Sequence, residues 1–190
     1  MSYARGFKSY ANKIALEVRD ELNLSALQPL NPEELAYSLG IPIWTLSDFA
    51  EGAPEVRYLL ETETEVFSAV TVFAGSTRTI VHNDGHALVR QRSNIAHELA
   101  HALLLHPPTA ALDDRGCRHW DEDVEDEASW LAGTLLVTED AALAVARGQI
   151  SKREARETLG VSDAMLRYRI NMTGAHLRVQ REAKYREQLK

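Results

Sequence analysis

The stretch from Ile95 to His106 reads Ile-Ala-His-Glu-Leu-Ala-His-Ala-Leu-Leu-Leu-His and is followed by Pro107 and Pro108. It contains the pattern H-E-x-x-H. Residues four apart on an α-helix project from nearly the same face, so His97 and His101 can offer two imidazole nitrogens to one metal ion. Glu98, one position after the first histidine, is placed to reach a water in an open coordination position rather than the metal itself. Ser93 or Asn94 is the expected N-cap and the prolines are the expected stop. Between these ends the segment is apolar on nearly every side, which predicts a buried central helix that organises the rest of the chain.

A second helix is expected from about Asp121 to Val137, with Val124, Ala128, Leu131 and Leu135 as its apolar stripe. Glu127 stands closer to the centre of that stripe than Glu122, Asp123 or Glu125. A carboxylate turned toward a core needs a partner, and zinc would supply one; the competing reading is an ion pair with an arginine. Two histidines and one carboxylate favour zinc. Three protein ligands leave one position open, the arrangement of a catalytic site, with Glu98 as general base. Candidates to stabilise an oxyanion are Tyr168, His119, His106 and Arg92, and the sequence does not choose among them. His106 has a simpler reading as a histidine facing the negative end of the helix dipole. Cys117 lies in the loop between the two helices, and a thiolate is a strong zinc ligand. As an inhibitory fourth ligand it would displace the water and hold the site latent; otherwise it is a plain free cysteine.

Around this centre, helical spacing from about residue 3 to 22 and an Asn31-Pro32-Glu33-Glu34 start that runs to Gly40 predict two scaffold helices. Ile41 to Leu46 suits a short strand. Val66 to Phe73 and Thr77 to His82 read as a hairpin across Gly75-Ser76, and its edge could hold an extended peptide by main-chain hydrogen bonds. The remainder reads as helices: Asp140 to Arg147, one opened by the capping-box form Ser151-Lys152-Arg153-Glu154, and a last one after Gly160-Val161-Ser162. That final pair has the outline of a helix-turn-helix, with packing as the favoured use and DNA reading as the other. The expected class is α+β, a small sheet with a central H-E-x-x-H helix and then a mostly helical C-terminal region. The division expected is a metallopeptidase domain at 1–138 and a helical subdomain with a basic tail at 139–190. From Arg147 onward there are 11 Lys and Arg against 5 Asp and Glu, in a chain of net charge −7. An anionic partner or a solvated basic face would each account for that asymmetry. With no apolar run long enough for a membrane span, no signal-peptide pattern and one cysteine, a cytoplasmic location without membrane contact is expected.

His97-Glu98-Leu99-Ala100-His101 and Glu127-Ala128-Ser129-Trp130-Leu131-Ala132-Gly133-Thr134-Leu135-Leu136 together resemble the ImmA/IrrE metallopeptidases, whose pattern is H-E-x-G-H followed some 25 residues later by E-A-x-x-F-A-x-x-L-L-M-P. The likeness extends weakly to Ile14–Arg19, Pro32–Ile43, Leu159–Ser162 and Arg169. Ala100 replaces the usual Gly, Trp130-Leu131 stands where Phe is common, Val137-Thr138 replaces Met-Pro, and Ser93-Asn94 replaces an aromatic-Thr pair. No ligand is lost by these departures, and a substrate groove of different shape is expected from them. The resemblance implies a zincin-like fold, zinc held by His97, His101 and Glu127, and Glu98 as the catalytic residue. The Trp130–Gly133 segment, Asn171–Ala175 and the loop cysteine look like the CapP-type subgroup, encoded beside a helix-turn-helix repressor in bacterial anti-phage (CBASS) operons. That likeness implies cleavage of the repressor at one site, activation by single-stranded DNA after damage, and the cysteine switch at Cys117. A DNA-binding regulator with a structural zinc site is the alternative.

Overall fold

The computed structural model describes residues 3–75, 77–107 and 121–188. Their architecture is α+β, with one three-stranded sheet and nine α-helices among the described residues. Helix α1 (Phe7–Glu21) buries Phe7, Ala11, Ile14, Ala15 and Val18 along one stripe. Helix α2 (Pro32–Ser38) starts as its sequence dictates: the Asn31 side chain accepts from the Glu33 amide, and Pro32 occupies the first turn where its missing N–H costs nothing.

Strand β1 (Ile43–Thr45) pairs in parallel with β3 (Thr77–His82), which pairs antiparallel with β2 (Ala69–Ala74). The order β1-β3-β2 leaves β2 at an edge and puts Ile80, fully buried, at the centre. Between β1 and β2 lies α3 (Pro54–Glu61), which the sequence reading missed. None of its residues is fully buried; Val56, Leu59 and Leu60 form a half-buried stripe at helical spacing, over only eight residues.

Helix α4 (Leu88–Leu103) carries the H-E-x-x-H motif and starts five residues before Ser93. Neither Ser93 nor Asn94 is its N-cap. The Asn94 amide instead turns sideways to Ser68 O at 3.5 Å and His86 Nδ1 at 3.3 Å. The true start is tied down by Gln91, whose Nε2 donates to the carbonyls of Asp84 (2.9 Å) and His86 (2.7 Å). Helix α5 (Glu122–Leu136) begins where expected, its N-cap Asp121 accepting from the amides of Asp123 and Val124. Three short helices follow, α6 (Glu139–Ala146), α7 (Lys152–Leu159) and α8 (Asp163–Met172), each with a hydroxyl N-cap: Thr138, Ser151 and Ser162. Gly160, at φ 64°, separates α7 from α8 in a left-handed conformation that a side chain would strain. Helix α9 (Ala175–Gln188) closes the described chain.

One core joins these elements. Ile14 and Val18 of α1, Ile95 and Leu99 of α4, Leu131 and Leu135 of α5, and Leu166 and Ile170 of α8 all belong to it. Buried alanines at 96, 100, 128 and 132 keep the facing sides of α4 and α5 small, so the two helices approach closely. Arg169 is wholly buried, its Nε donating to Val137 O at 3.1 Å and its guanidinium 5.3 Å from the Trp130 ring. Burial lowers its pKa to about 10, and it stays charged at neutral pH. A Cβ on Gly133 would sit 2.9 Å from Arg169 Cδ, which is why this position of α5 has no side chain. Among the described residues no single helix is long and apolar enough to cross a membrane.

His82, at the end of β3, is buried with its Nδ1 unpartnered among the described residues, and burial pushes its pKa down. The unfolded chain therefore takes up this proton at a higher pH than the folded one. Stability is expected to fall as pH drops below about 6.5, the ordinary histidine value. His82→Gln should flatten that dependence. Melting temperatures measured from pH 7.5 to 5 on both proteins check it, and equal slopes would refute it.

Candidate metal centre

Helix geometry brings His97 and His101 one turn apart on α4, with their Nε2 atoms 3.1 Å from each other. From the first turn of α5, Glu125 Oε2 reaches His97 Nε2 at 3.0 Å and His101 Nε2 at 3.6 Å. The two imidazoles, His101 first and His97 next, hold the Glu125 carboxyl well below the usual carboxylate range. The three groups form the possible metal-holding cluster found among the described residues.

The donor set fits a divalent ion. Three donors placed tetrahedrally at zinc's bond lengths of about 2.0–2.1 Å would lie about 3.3 Å apart. The separations here are 3.0, 3.1 and 3.6 Å. Two imidazole nitrogens and a carboxylate oxygen are also a donor set that zinc accepts.

Glu98, the residue after His97 on α4, is bonded to the sheet. Its Oε2 accepts a hydrogen bond of 2.5 Å from the Thr71 hydroxyl on the edge strand β2. Only 9% of the residue is exposed. The candidate base is therefore fixed between the motif helix and an edge strand of the sheet.

The structure differs from the sequence reading at the third acid. Glu125, not Glu127, is directed at the histidine pair; Glu127 lies 3.5 Å from His106 Nε2. The physical reason is that α5 is buried all round from Trp130 to Leu136, so its apolar residues do not mark one face. No sequence signal singles out Glu125; in the structure Ser129, one turn on, shares its side of α5, with its hydroxyl 3.5 Å from His97 Nδ1. His106 is likewise more than a dipole partner, since its Nδ1 is 2.9 Å from His101 Nδ1. Burial first, and the neighbouring His101 next, push the His106 pKa down. Arg92 is committed elsewhere, donating to Leu30 O at 2.6 Å and lying 3.4 Å from Leu159 O. Tyr168 packs against Gly133 and bonds with Tyr3. Cys117 and His119 lie outside the described residues.

No curated protein and no solved structure matches the chain. The sequence model of the IrrE N-terminal-like domain, Peptidase M78, matches residues 52–171, well over half of the chain and inclusive of β2, β3, both metal-centre helices and Arg169. With the H-E-x-x-H helix and a histidine-histidine-glutamate cluster in that span, the chain belongs to the IrrE N-terminal-like family of M78 peptidases, of the ImmA/IrrE type.

Proposed function

We propose that this protein is a zinc endopeptidase that cuts a helix-turn-helix transcriptional repressor at one site and thereby induces a bacterial stress or anti-phage operon. The observation that carries the peptidase reading is the trio His97, His101 and Glu125 at near-tetrahedral donor spacing, with Glu98, the residue after His97, held by Thr71. Zinc bound there would supply Lewis-acid polarisation of the scissile carbonyl and make a water acidic enough to lose its proton near neutral pH. Glu98 would serve as the general base toward the attacking water and as the acid toward the leaving amine. Strand β2, with one edge unpaired in the sheet, offers main-chain donors and acceptors to an extended substrate segment.

The repressor substrate rests on the likeness to ImmA/IrrE and CapP-type peptidases, as does activation by single-stranded DNA at the basic C-terminal segment in the cytoplasm. Part of that basic charge is already paired within the fold, Arg178 with Glu139 and Arg147 with Glu182. Cys117 as an inhibitory fourth ligand belongs to the same proposal.

The test is incubation of the zinc-loaded protein, with and without single-stranded DNA, with the repressor encoded beside it. One pair of fragments is expected, lost on chelation and regained with zinc, while unrelated peptides stay intact. Degradation of every peptide alike would replace the reading with a general protease, and an intact repressor under all conditions would remove it.

A further inference from the structure

We propose that His106 and Glu127 form an outer relay that fixes His101 in the tautomer able to bind the metal. The proposal rests on the metal-centre reading above and deepens it.

The relay begins in the backbone. After α4 the chain turns through Leu105 at φ 55°, a left-handed conformation in which glycine is the usual residue. The His106 amide bonds back to His101 O at 3.0 Å and the Leu105 amide to Ala102 O at 3.1 Å. This paired pattern at a helix end brings the residue after the turn over the side chain one turn before it. In most such turns that contact is apolar. Here the two residues are His106 and His101, with ring centroids 5.0 Å apart. The Leu105 side chain itself is 82% exposed, so no packing of its own holds the strained turn in place.

The protons then have one arrangement that satisfies every group. His101 Nδ1 and His106 Nδ1 are 2.9 Å apart, so one must donate and the other accept. If His106 donated, His101 would carry its proton on Nε2, the atom facing His97 and Glu125, and could not ligate. His106 Nε2 would then present a lone pair to the Glu127 carboxylate 3.5 Å away. If His101 donates, its Nε2 lone pair is free for the metal; without a metal a proton on His97 Nε2 serves both that lone pair, 3.1 Å away, and Glu125 at 3.0 Å, while the His106 Nε2 proton faces Glu127. The carboxylate therefore selects the second arrangement. Ligand histidines held in this way through their other nitrogen bind metal more tightly.

Zinc affinity, measured by chelator competition on the folded full chain, tests the relay. Glu127→Ala and His106→Phe are each expected to weaken zinc binding by about 10- to 100-fold, and the double variant by no more than His106→Phe alone. Glu125→Ala removes a direct donor and should cost more than either. Imidazole nitrogen chemical shifts in the metal-free protein give a second readout: His101 protonated at Nδ1 in the native chain, and a tautomer mixture in Glu127→Ala. Because that variant is partly exposed at its site, it keeps the test open even where His106→Phe unfolds the chain. Unchanged affinity and tautomer in Glu127→Ala would overturn the relay while leaving the metal centre standing. Loss from Glu127→Ala as severe as from His101→Ala, with Glu125→Ala mild, would overturn it by making Glu127 the direct donor. A native chain that takes up no zinc would instead remove the metallopeptidase reading itself.

Discussion

Glu98→Gln is expected to lower kcat/KM for substrate cleavage by about 10²- to 10⁴-fold, the range of a positioned general acid–base group. The change is isosteric, and the amide oxygen can still accept from Thr71. Metal content and melting temperature should therefore stay at the native level, which separates lost chemistry from a lost site. Thr71→Val, which keeps the carboxylate but removes its anchor, should show a smaller loss. Cleavage rates alongside metal analysis of each purified variant check both. A Glu98→Gln protein that cuts at the native rate would refute the general-base role.

Leu99→Ala should have the largest effect on stability. Leu99 is fully buried and stands two residues from each motif histidine, on the opposite face of α4 from the metal centre. Truncation there leaves a cavity in the core shared by α1, α4, α5 and α8. The expected loss is about 2–5 kcal/mol, a fall in melting temperature on the order of 10 °C for a chain of this size. Thermal unfolding followed by circular dichroism measures it. A shift under about 2 °C would mean that α4 is not the centre of the core.

Much of the frame is legible in local chemistry. Asn31-Pro32, Asp121, Ser151 and Ser162 open helices because their side chains accept from amides that the helix itself leaves unpaired. Alternation and β-branched residues mark β2 and β3. Where a local signal was available to two uses, the neighbours decided. Asn94 has the chemistry of a cap, yet α4 begins earlier, because Gln91 bonds to the turn before the helix and Asn94 finds Ser68 and His86 beside it. Helix α3 went unread although Pro54 opens it and Val56, Leu59 and Leu60 share a face, because eight residues with no fully buried side chain make a short signal.

At the metal centre the division is sharpest. The sequence by itself determined that His97 and His101 share a face and that Glu98 leaves it, because four residues nearly complete a helical turn whatever surrounds the helix. It did not determine which acid of α5 meets them. Glu125 and Glu127 sit two residues apart on a helix buried on all sides beyond Trp130, so burial pattern gives no phase. Only the docking of α5 against α4 decides it, by sending Glu125 to the two histidines and Glu127 to His106. The left-handed turn at Leu105 that places His106 there is also a tertiary result, since no leucine favours that conformation on its own.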